Sequence, residues 1–433
     1  MPKDRLLRGY SMKKGMCFCV CFCFFASLYA LGDVYVIKNA RVLTVTQGTL
    51  ERGTIVIKDG KIDRVGIQED MFENAAHVID ADGMWVTPGL IDSHSHLGLG
   101  PSGGITEDNE MSDPCTPHLR IIDSIHPEGV EPHKGSFKDA VAQGVTTIIA
   151  RPGSGNVIGG QSAALKLRGK TVDEMILVFP ADMKMAMGRK GYYASKGQMP
   201  VTKMGTAYIV RKAMADAADY KASLLLYQKT KEKKPDTPPP KRDLKNEAML
   251  KVLNRELPVH IHATAVDDIM TAVRLSDEFD FYKLSLAHAE ESYKVADELA
   301  KRDIVVVVGP KMIVFDDRGD LINIADYLVD NGVEVNIMTD ADVVQQEFLR
   351  FQASIAVRYG MDPLEALKAI TINPAKLIGM EKRIGSIESG KDADLVLFDG
   401  DPFDVQTSVL KVFIDGQIVY ERESGRGTPG DAR

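Results

Sequence analysis

Two histidines one residue apart, His94 and His96, close the run Trp85-Val-Thr-Pro-Gly-Leu-Ile-Asp-Ser-His-Ser-His-Leu97. Leu90 to His96 is short, mostly apolar and entered through Pro88-Gly89, which predicts a buried strand. Side chains alternate along a strand, so Asp92, His94 and His96 share one face. Two imidazoles at the end of one strand can grip a metal ion from the same side. Chance proximity is the plain alternative, and what weighs against it is that the chain offers further ligands at matching places. His262 ends Val259-His-Ile-His262, His288 ends Leu284-Ser-Leu-Ala-His288, and Asp340 directly follows Val333 to Met338. His260 shares the face of His262 but lies farther from the strand's carboxyl end, so it reads as a hydrogen-bonded inner histidine.

Imidazoles with a carboxylate suit a divalent ion, and zinc is favoured over iron or manganese by donor type. Such an ion lowers the pKa of bound water and polarises a carbonyl under attack. Asp340 can take the proton of the attacking water and return it to a leaving nitrogen. The same residue also reads as a cap for the helical stretch 343–351, and Asp342 could fill either role.

Which elements bring these residues together? Residues 33–87 read as strands: Val34 to Ile37, Arg41 to Val45, Thr54 to Ile57 and His77 to Asp80, with His77 a surface position. Asp59-Gly60 is a hairpin signal, and Asp415-Gly416 near the other end is a second one. From Leu90 onward strands alternate with helices. Gly144 to Ala150, Met175 to Phe179, Asp182 to Met185, Val259 to His262, Leu284 to His288, Ile304 to Val308 and Val333 to Met338 are strand-like. Val201 to Tyr227, Asp267 to Leu275, Ser292 to Lys301 and Ile322 to Asn331 are helical in pattern. Lys229 to Lys245 carries Pro238-Pro-Pro240 and reads as an exposed loop. Repeated strand–helix units imply a parallel sheet, and their length suits a closed (β/α)8 TIM-type barrel over residues 88–385. Residues 33–87 and 386–433 are expected to assemble into one small composite β-sandwich domain.

The 433 residues and a net charge of -8, spread along the chain, leave no basic stripe for nucleic acid. Four of the five cysteines, Cys17, Cys19, Cys21 and Cys23, sit in one apolar run, which is neither a disulfide framework nor a zinc-ribbon spacing. That run belongs to residues 1–32, which read as a targeting segment: Lys13-Lys14, an apolar stretch from Met16 to Leu31, then small residues at Ala30-Leu-Gly32. It is short for a membrane span, so a cleaved signal is the first reading and an uncleaved anchor the second. Either implies an extracytoplasmic protein, periplasmic or secreted, that meets the membrane only through this segment. The partner expected is a small-molecule substrate; a homo-oligomer is compatible with the sequence without being specified by it.

From Val34 to Tyr420 the chain resembles the amidohydrolase superfamily, and within it the imidazolonepropionase-like branch. The resemblance is carried by Pro88-Gly-Leu-Ile-Asp-Ser-His-Ser-His96, Gly144-Val-Thr-Thr147, Thr339-Asp340, Asn373-Pro-Ala375 and Ile384-Gly-Ser-Ile-Glu-Ser-Gly-Lys-Asp-Ala-Asp-Leu-Val-Leu397. It implies a hydrolase of carbon–nitrogen bonds holding one or two divalent ions. His94 and His96 would bind the more buried ion, with Asp340 as shared ligand and base. His262 and His288 would bind a second ion, or His262 would join a single one. Two-ion members often carry a carboxylated lysine, for which Lys184 in Ala181-Asp-Met-Lys-Met-Ala-Met-Gly188 is the candidate and Lys166 the competitor. An amine among apolar neighbours must lose or hide its charge, which carboxylation achieves. The rival for Lys184 is a snorkelling surface lysine.

Substrate contacts are less determined. Arg151 opens the glycine-rich segment Arg151-Pro-Gly-Ser-Gly-Asn-Val-Ile-Gly-Gly-Gln161, expected where substrate sits, with Arg151 facing a substrate carboxylate and Gln161 nearby. It lacks the Gly-Lys-Ser/Thr of a phosphate loop. His118, His126 and His133 fall in a Pro-rich stretch and read as solvent-facing, in what could be a lid. Three functions follow as expectations: hydrolysis of a cyclic or peptide-like amide, dipeptides included; single-ion imidazolonepropionase or heterocycle deaminase chemistry; and a non-catalytic scaffold, which retention of every ligand histidine disfavours.

Overall fold

The computed structural model describes residues 34–67, 75–102, 105–127 and 137–423. The expected targeting segment and His133 lie outside these residues. Among the described residues, no helix is long and apolar enough to cross a membrane.

Both ends of the chain build one eight-stranded sheet. Tyr35–Leu43 pairs with Thr49–Lys58, His77–Asp80 and Trp85–Pro88; Trp85–Pro88 in turn pairs with Leu395–Phe398, which leads to Val409–Ile414 and Gln417–Glu421. Ile37, Ile55, Ile57, Leu395 and Phe413, from strands at both ends of this sheet's path, pack into one core. Register shifts near Ala40 and Val42 mark irregular pairing within Tyr35–Leu43, of the kind that adds local twist to a strand. They also explain why two predicted strands merge into the one Tyr35–Leu43. Both Asp-Gly hairpins form with positive φ at each central residue, 50° and 77° at Asp59-Gly60 and 50° and 70° at Asp415-Gly416, as the tight two-residue turn demands.

The middle of the chain is mixed α/β. Leu90–Ser95 runs parallel to Val145–Ala150. A longer parallel run takes in Met183–Ala186, Val259–Ala263, Leu284–His288, Val305–Val308 and Val335–Ile337 in order. Antiparallel strands interrupt the pattern: Ala163–Lys166 lies against Val145–Ala150, and Ile158–Gln161 against Met183–Ala186. The two runs meet at a parallel bridge between Ser95 and Ala341. All six residues of Leu90–Ser95 are buried, and the strand is entered through Gly89 because a side chain there would lie 2.2 Å from Thr146 Oγ1.

The helix Lys203–Lys233 outlasts its predicted end, shrinking the expected loop to the residues before Leu244–Leu253. The sequence holds no glycine or proline between Tyr227 and Pro235, and Asp243 caps the next helix by accepting from the amides of Lys245 and Asn246.

Lys166, the competing candidate for a modified lysine, clasps the two parts together. Its ammonium donates to Asp392 at 2.8 Å and to Asp394 and Asp415, carboxylates contributed by the C-terminal portion. Burial pushes the Asp392 carboxyl up, but Lys166, Lys61 and Arg383 hold it down to about 2. A carboxyl held below its unfolded value contributes stability above that value, roughly 4, and loses it as pH falls toward 2. Lys166→Met leaves buried carboxylates uncompensated and is expected to cost about 3–5 kcal/mol near neutral pH. Urea unfolding followed by the single tryptophan, Trp85, measures this. The gap from wild type should narrow as pH falls from about 4 toward 2; a gap independent of pH would contradict the clasp.

Candidate metal centre

His94 projects from the strand Leu90–Ser95 and His96 directly follows it, while Asp340 lies in the turn after Val335–Ile337. His94 Nε2 and His96 Nε2 lie 3.4 Å apart, and each is 3.4 Å from Asp340 Oδ1. Ligand atoms about 2.1 Å from a common ion at tetrahedral angles lie about 3.4 Å from one another. The three side chains therefore fit a divalent ion. Asp342, the alternative acid, is exposed and not part of the group.

The tautomers follow from the partners. His96 Nδ1 lies 2.8 Å from the carbonyl of Arg151, and a carbonyl only accepts, so Nδ1 carries the proton and Nε2 keeps its lone pair. His288 repeats the arrangement, with Nδ1 at 3.0 Å from the carbonyl of Gly309. His94 Nδ1 sits 2.9 Å from His260 Nε2, and His260 Nδ1 is 2.7 Å from Ser285 Oγ. Protons on both Nδ1 atoms leave His94 Nε2 free to face Asp340. His260 is thus the inner histidine expected from sequence, and it orients its neighbour. Burial first, then the charge of Lys184, holds His94 well below the usual imidazole range, so its ring is neutral, the ligating form.

His288 Nε2 stands 3.9 Å from the second oxygen of Asp340, and the His262 ring lies against His288 with centroids 4.5 Å apart. His262 Nδ1 is buried without a hydrogen-bond partner, an orphan donor or acceptor that a ligand could satisfy. Burial raises the Asp340 carboxyl, but His96 and the charges of His288 and Lys184 more than offset it, leaving the group below its ordinary value and ionised.

Lys184 is fully buried, on the strand Met183–Ala186, with Nζ 3.4 Å from His94 Nε2. Burial pulls its amine down to about 7, against the pull of Asp340. It is not a surface lysine. Lys190, also buried, donates to the carbonyls of Ser154 and Met187 at 3.0 Å each and so pins the glycine-rich segment to the end of this strand.

The two substrate-contact expectations need correction. Arg151 is fully buried; its guanidinium donates to Asp182 at 2.6 and 3.1 Å and to the carbonyl of Ser93. A cation already paired beneath the centre cannot also meet a substrate carboxylate. Gln161 turns away: its amide donates to the Pro117 carbonyl at 3.2 Å and accepts from Lys251 at 3.5 Å. His118 is half-buried, His126 is exposed, and His77 stacks on Tyr35 far from the centre. Sequence reasoning missed Gln346, which hydrogen-bonds Asp92 and Ser95 beneath the ligand pair. Nothing local in Val343-Val-Gln-Gln-Glu347 distinguishes it.

Known proteins bear on this arrangement. An amidohydrolase from Thermotoga maritima MSB8 superposes with a TM-score of 0.81 at 36% identity, covering 90% of this chain and 100% of that one. The amidohydrolase tasK of Hapsidospora irregularis is 29% identical over 403 residues, 86% of this chain, which spans 39% of that relative's length. An imidazolonepropionase of Thermoplasma volcanium is 25% identical over 396 residues, 86% of this chain and 92% of that one. A model of the amidohydrolase family matches residues 85–419. With two imidazoles, that of His94 fully buried, and a carboxylate converging where a divalent ion fits, and with that match spanning most of its length, the chain belongs to the amidohydrolase family.

Proposed function

We propose that this chain is a metal-dependent hydrolase that cleaves the C–N bond of a cyclic amide or a small peptide-like amide. The observation that carries the reading is the mutual 3.4 Å spacing of His94 Nε2, His96 Nε2 and Asp340 Oδ1. The two parallel strand runs are read as a (β/α)8 barrel over residues 88–385, with the ligand-bearing strand ends forming its catalytic mouth. The named relatives, amidohydrolases and imidazolonepropionases, support amide chemistry in the same fold. The apolar N-terminal segment supports a site of action outside the cytoplasm.

A divalent ion in this donor set, zinc by preference, supplies Lewis acidity and readily ionised water. The chain's own residues do the rest. Asp340, ionised and aimed at the histidines through one oxygen, accepts a proton from the attacking water and delivers it to the departing nitrogen. His96 and His288 keep their Nε2 lone pairs inward because backbone carbonyls hold their Nδ1 protons. Arg151 and Asp182 neutralise each other below the centre, leaving Asp340 as the carboxylate within reach of the ligand histidines.

Lys184 supports a two-ion centre. An amine pulled down to about 7 is roughly half unprotonated at neutral pH, so its lone pair can attack carbon dioxide, losing one proton and gaining a carboxylate. The new carboxylate would offer oxygen ligands beside His94, whose Nε2 is 3.4 Å from the Lys184 amine. A single-ion deaminase or imidazolonepropionase site gives this buried amine no such part.

Purified protein is expected to contain divalent metal by elemental analysis and to hydrolyse at least one member of a dipeptide and cyclic-amide panel. A folded, metal-replete protein inert toward every amide tested would overturn the reading. Asp340→Asn is expected to keep the fold by circular dichroism and lower kcat/KM roughly a hundred- to ten-thousandfold. Metal-free protein reconstituted without bicarbonate is expected to take up less metal than protein given bicarbonate, and Lys184→Gln to take up the lower amount in both; uptake by wild type indifferent to bicarbonate removes the carboxylated lysine.

A further inference from the structure

Gln346 lies six residues beyond Asp340, buried, in a short turn of helix. Its side-chain amide spans the ligand strand. Nε2 donates to Asp92 Oδ2 at 2.5 Å, and Oε1 accepts from Ser95 Oγ at 2.5 Å. The orientation of this amide is fixed by chemistry: a carboxylate only accepts, so the nitrogen must face Asp92 and the oxygen must face Ser95. Asp92 precedes His94 by two residues, and Ser95 stands between His94 and His96. One glutamine thus touches the strand on both sides of its first ligand.

The same two anchors are tied back to Asp340. Asp92 Oδ2 also accepts from the Thr339 backbone amide at 3.1 Å and its hydroxyl at 2.6 Å, while Oδ1 accepts from the His94 amide at 3.0 Å. The Asp340 amide donates to the His94 carbonyl at 3.2 Å, and the His96 amide to the Ala341 carbonyl at 2.6 Å. Asp340 itself has φ of 53°, a left-handed conformation that costs a non-glycine residue and persists only where its surroundings enforce it. Thr339 precedes that residue and Gln346 follows it, both bonded to one carboxylate oxygen. The loop is therefore pinned on either side of its strained residue.

We propose that Gln346 is a positioning residue for the metal centre: its amide, bridging Asp92 and Ser95, fixes the distance between the His94–His96 pair and Asp340. It touches neither substrate nor ligand atoms and acts through the strand it clamps. Removing it leaves a buried carboxylate short of one donor and a seryl hydroxyl short of its acceptor, and frees the loop that carries Asp340. Partners of this kind, one layer behind the ligands, typically govern metal affinity by ten- to a hundredfold. The inference rests on the metal-centre reading above.

The test compares wild type, Gln346→Met and Ser95→Ala, each stripped of metal and titrated with Co(II) against a chelator, with the visible absorption of bound cobalt recorded alongside. Gln346→Met is expected to bind cobalt ten- to a hundredfold more weakly and to show an altered ligand-field band, with kcat lowered more than KM is raised. Ser95→Ala, which keeps the Asp92 arm, is expected to show the same changes at smaller size. Cobalt affinity and spectrum identical to wild type, with only a lower Tm, would mean that Gln346 is structural and overturn the inference. Failure of wild type itself to bind cobalt would instead overturn the metal-centre reading. Should Gln346→Met not fold, Gln346→Asn, one methylene shorter, is read by the same two signals, and an unchanged spectrum counts against the inference in the same way.

Discussion

Burying ionisable groups among apolar side chains is tolerable only when each is neutral, paired or ligated, and this constraint shapes the centre. His94, His260, Lys184 and Arg151 are all fully buried in one region. Their charges disfavour one another: burial first, then neighbouring cations, drives both His94 and His260 well below the usual imidazole range. Arg151 cannot discharge, so it takes Asp182 as its counter-ion. The imidazoles can, and do so by becoming donors at one nitrogen and acceptors at the other. A set of neutral rings with inward lone pairs follows from desolvation as much as from any demand of a metal.

Orientation then propagates outward from those rings. Ser285 fixes His260, His260 fixes His94, and backbone carbonyls of Arg151 and Gly309 fix His96 and His288. Those carbonyls belong to the ends of neighbouring strands, so strand pairing itself sets the imidazole planes. His288 and Asp340 both adopt positive φ, 66° and 53°. Two ligand candidates are held in a costly backbone state, at the ends of strands separated by Val305–Val308, and such a state persists only where the surrounding structure enforces it.

How much of this could be read from the chain? The alternation of His94 and His96, and the placement of His262, His288 and Asp340 at strand ends, are local signals, because strand periodicity places side chains before any tertiary contact forms. The Asp-Gly hairpins are equally local. Arg151 shows where such reading stops. A glycine-rich segment after a strand looks like a substrate loop, yet whether its arginine points out or in depends on Asp182, thirty-one residues away. Lys166 and Lys184 sit in similar apolar runs; one meets carboxylates more than two hundred residues on and stays charged, the other meets histidines and has its amine pulled down to about 7. Gln346 had no local signal at all, since its importance lies wholly in the two residues it reaches. The register shifts near Ala40 and Val42, across which two expected strands run on as one, leave little mark on composition.

The contrast between the two lysines also bears on what the centre can hold. Burial lowers the amine of Lys166 too, but the carboxylates of Asp394, Asp392 and Asp415 outweigh it and raise the group above its ordinary value, so that side chain is committed to charge. At Lys184 burial wins over the carboxylates that oppose it, first Asp340, which is shared with His94 and His96, and then Asp182, which is paired with Arg151. Were Lys184 to stay an ammonium, it would place a positive charge 3.4 Å from the nitrogen of His94 that faces the other ligands, where any divalent cation would have to sit. A cation and an ammonium cannot share that space at low dielectric. Metal binding and deprotonation of Lys184 are therefore linked whichever way the amine is finally used: as metal enters, a proton must leave, and the amine's position near pKa 7 keeps the cost of that release small at neutral pH.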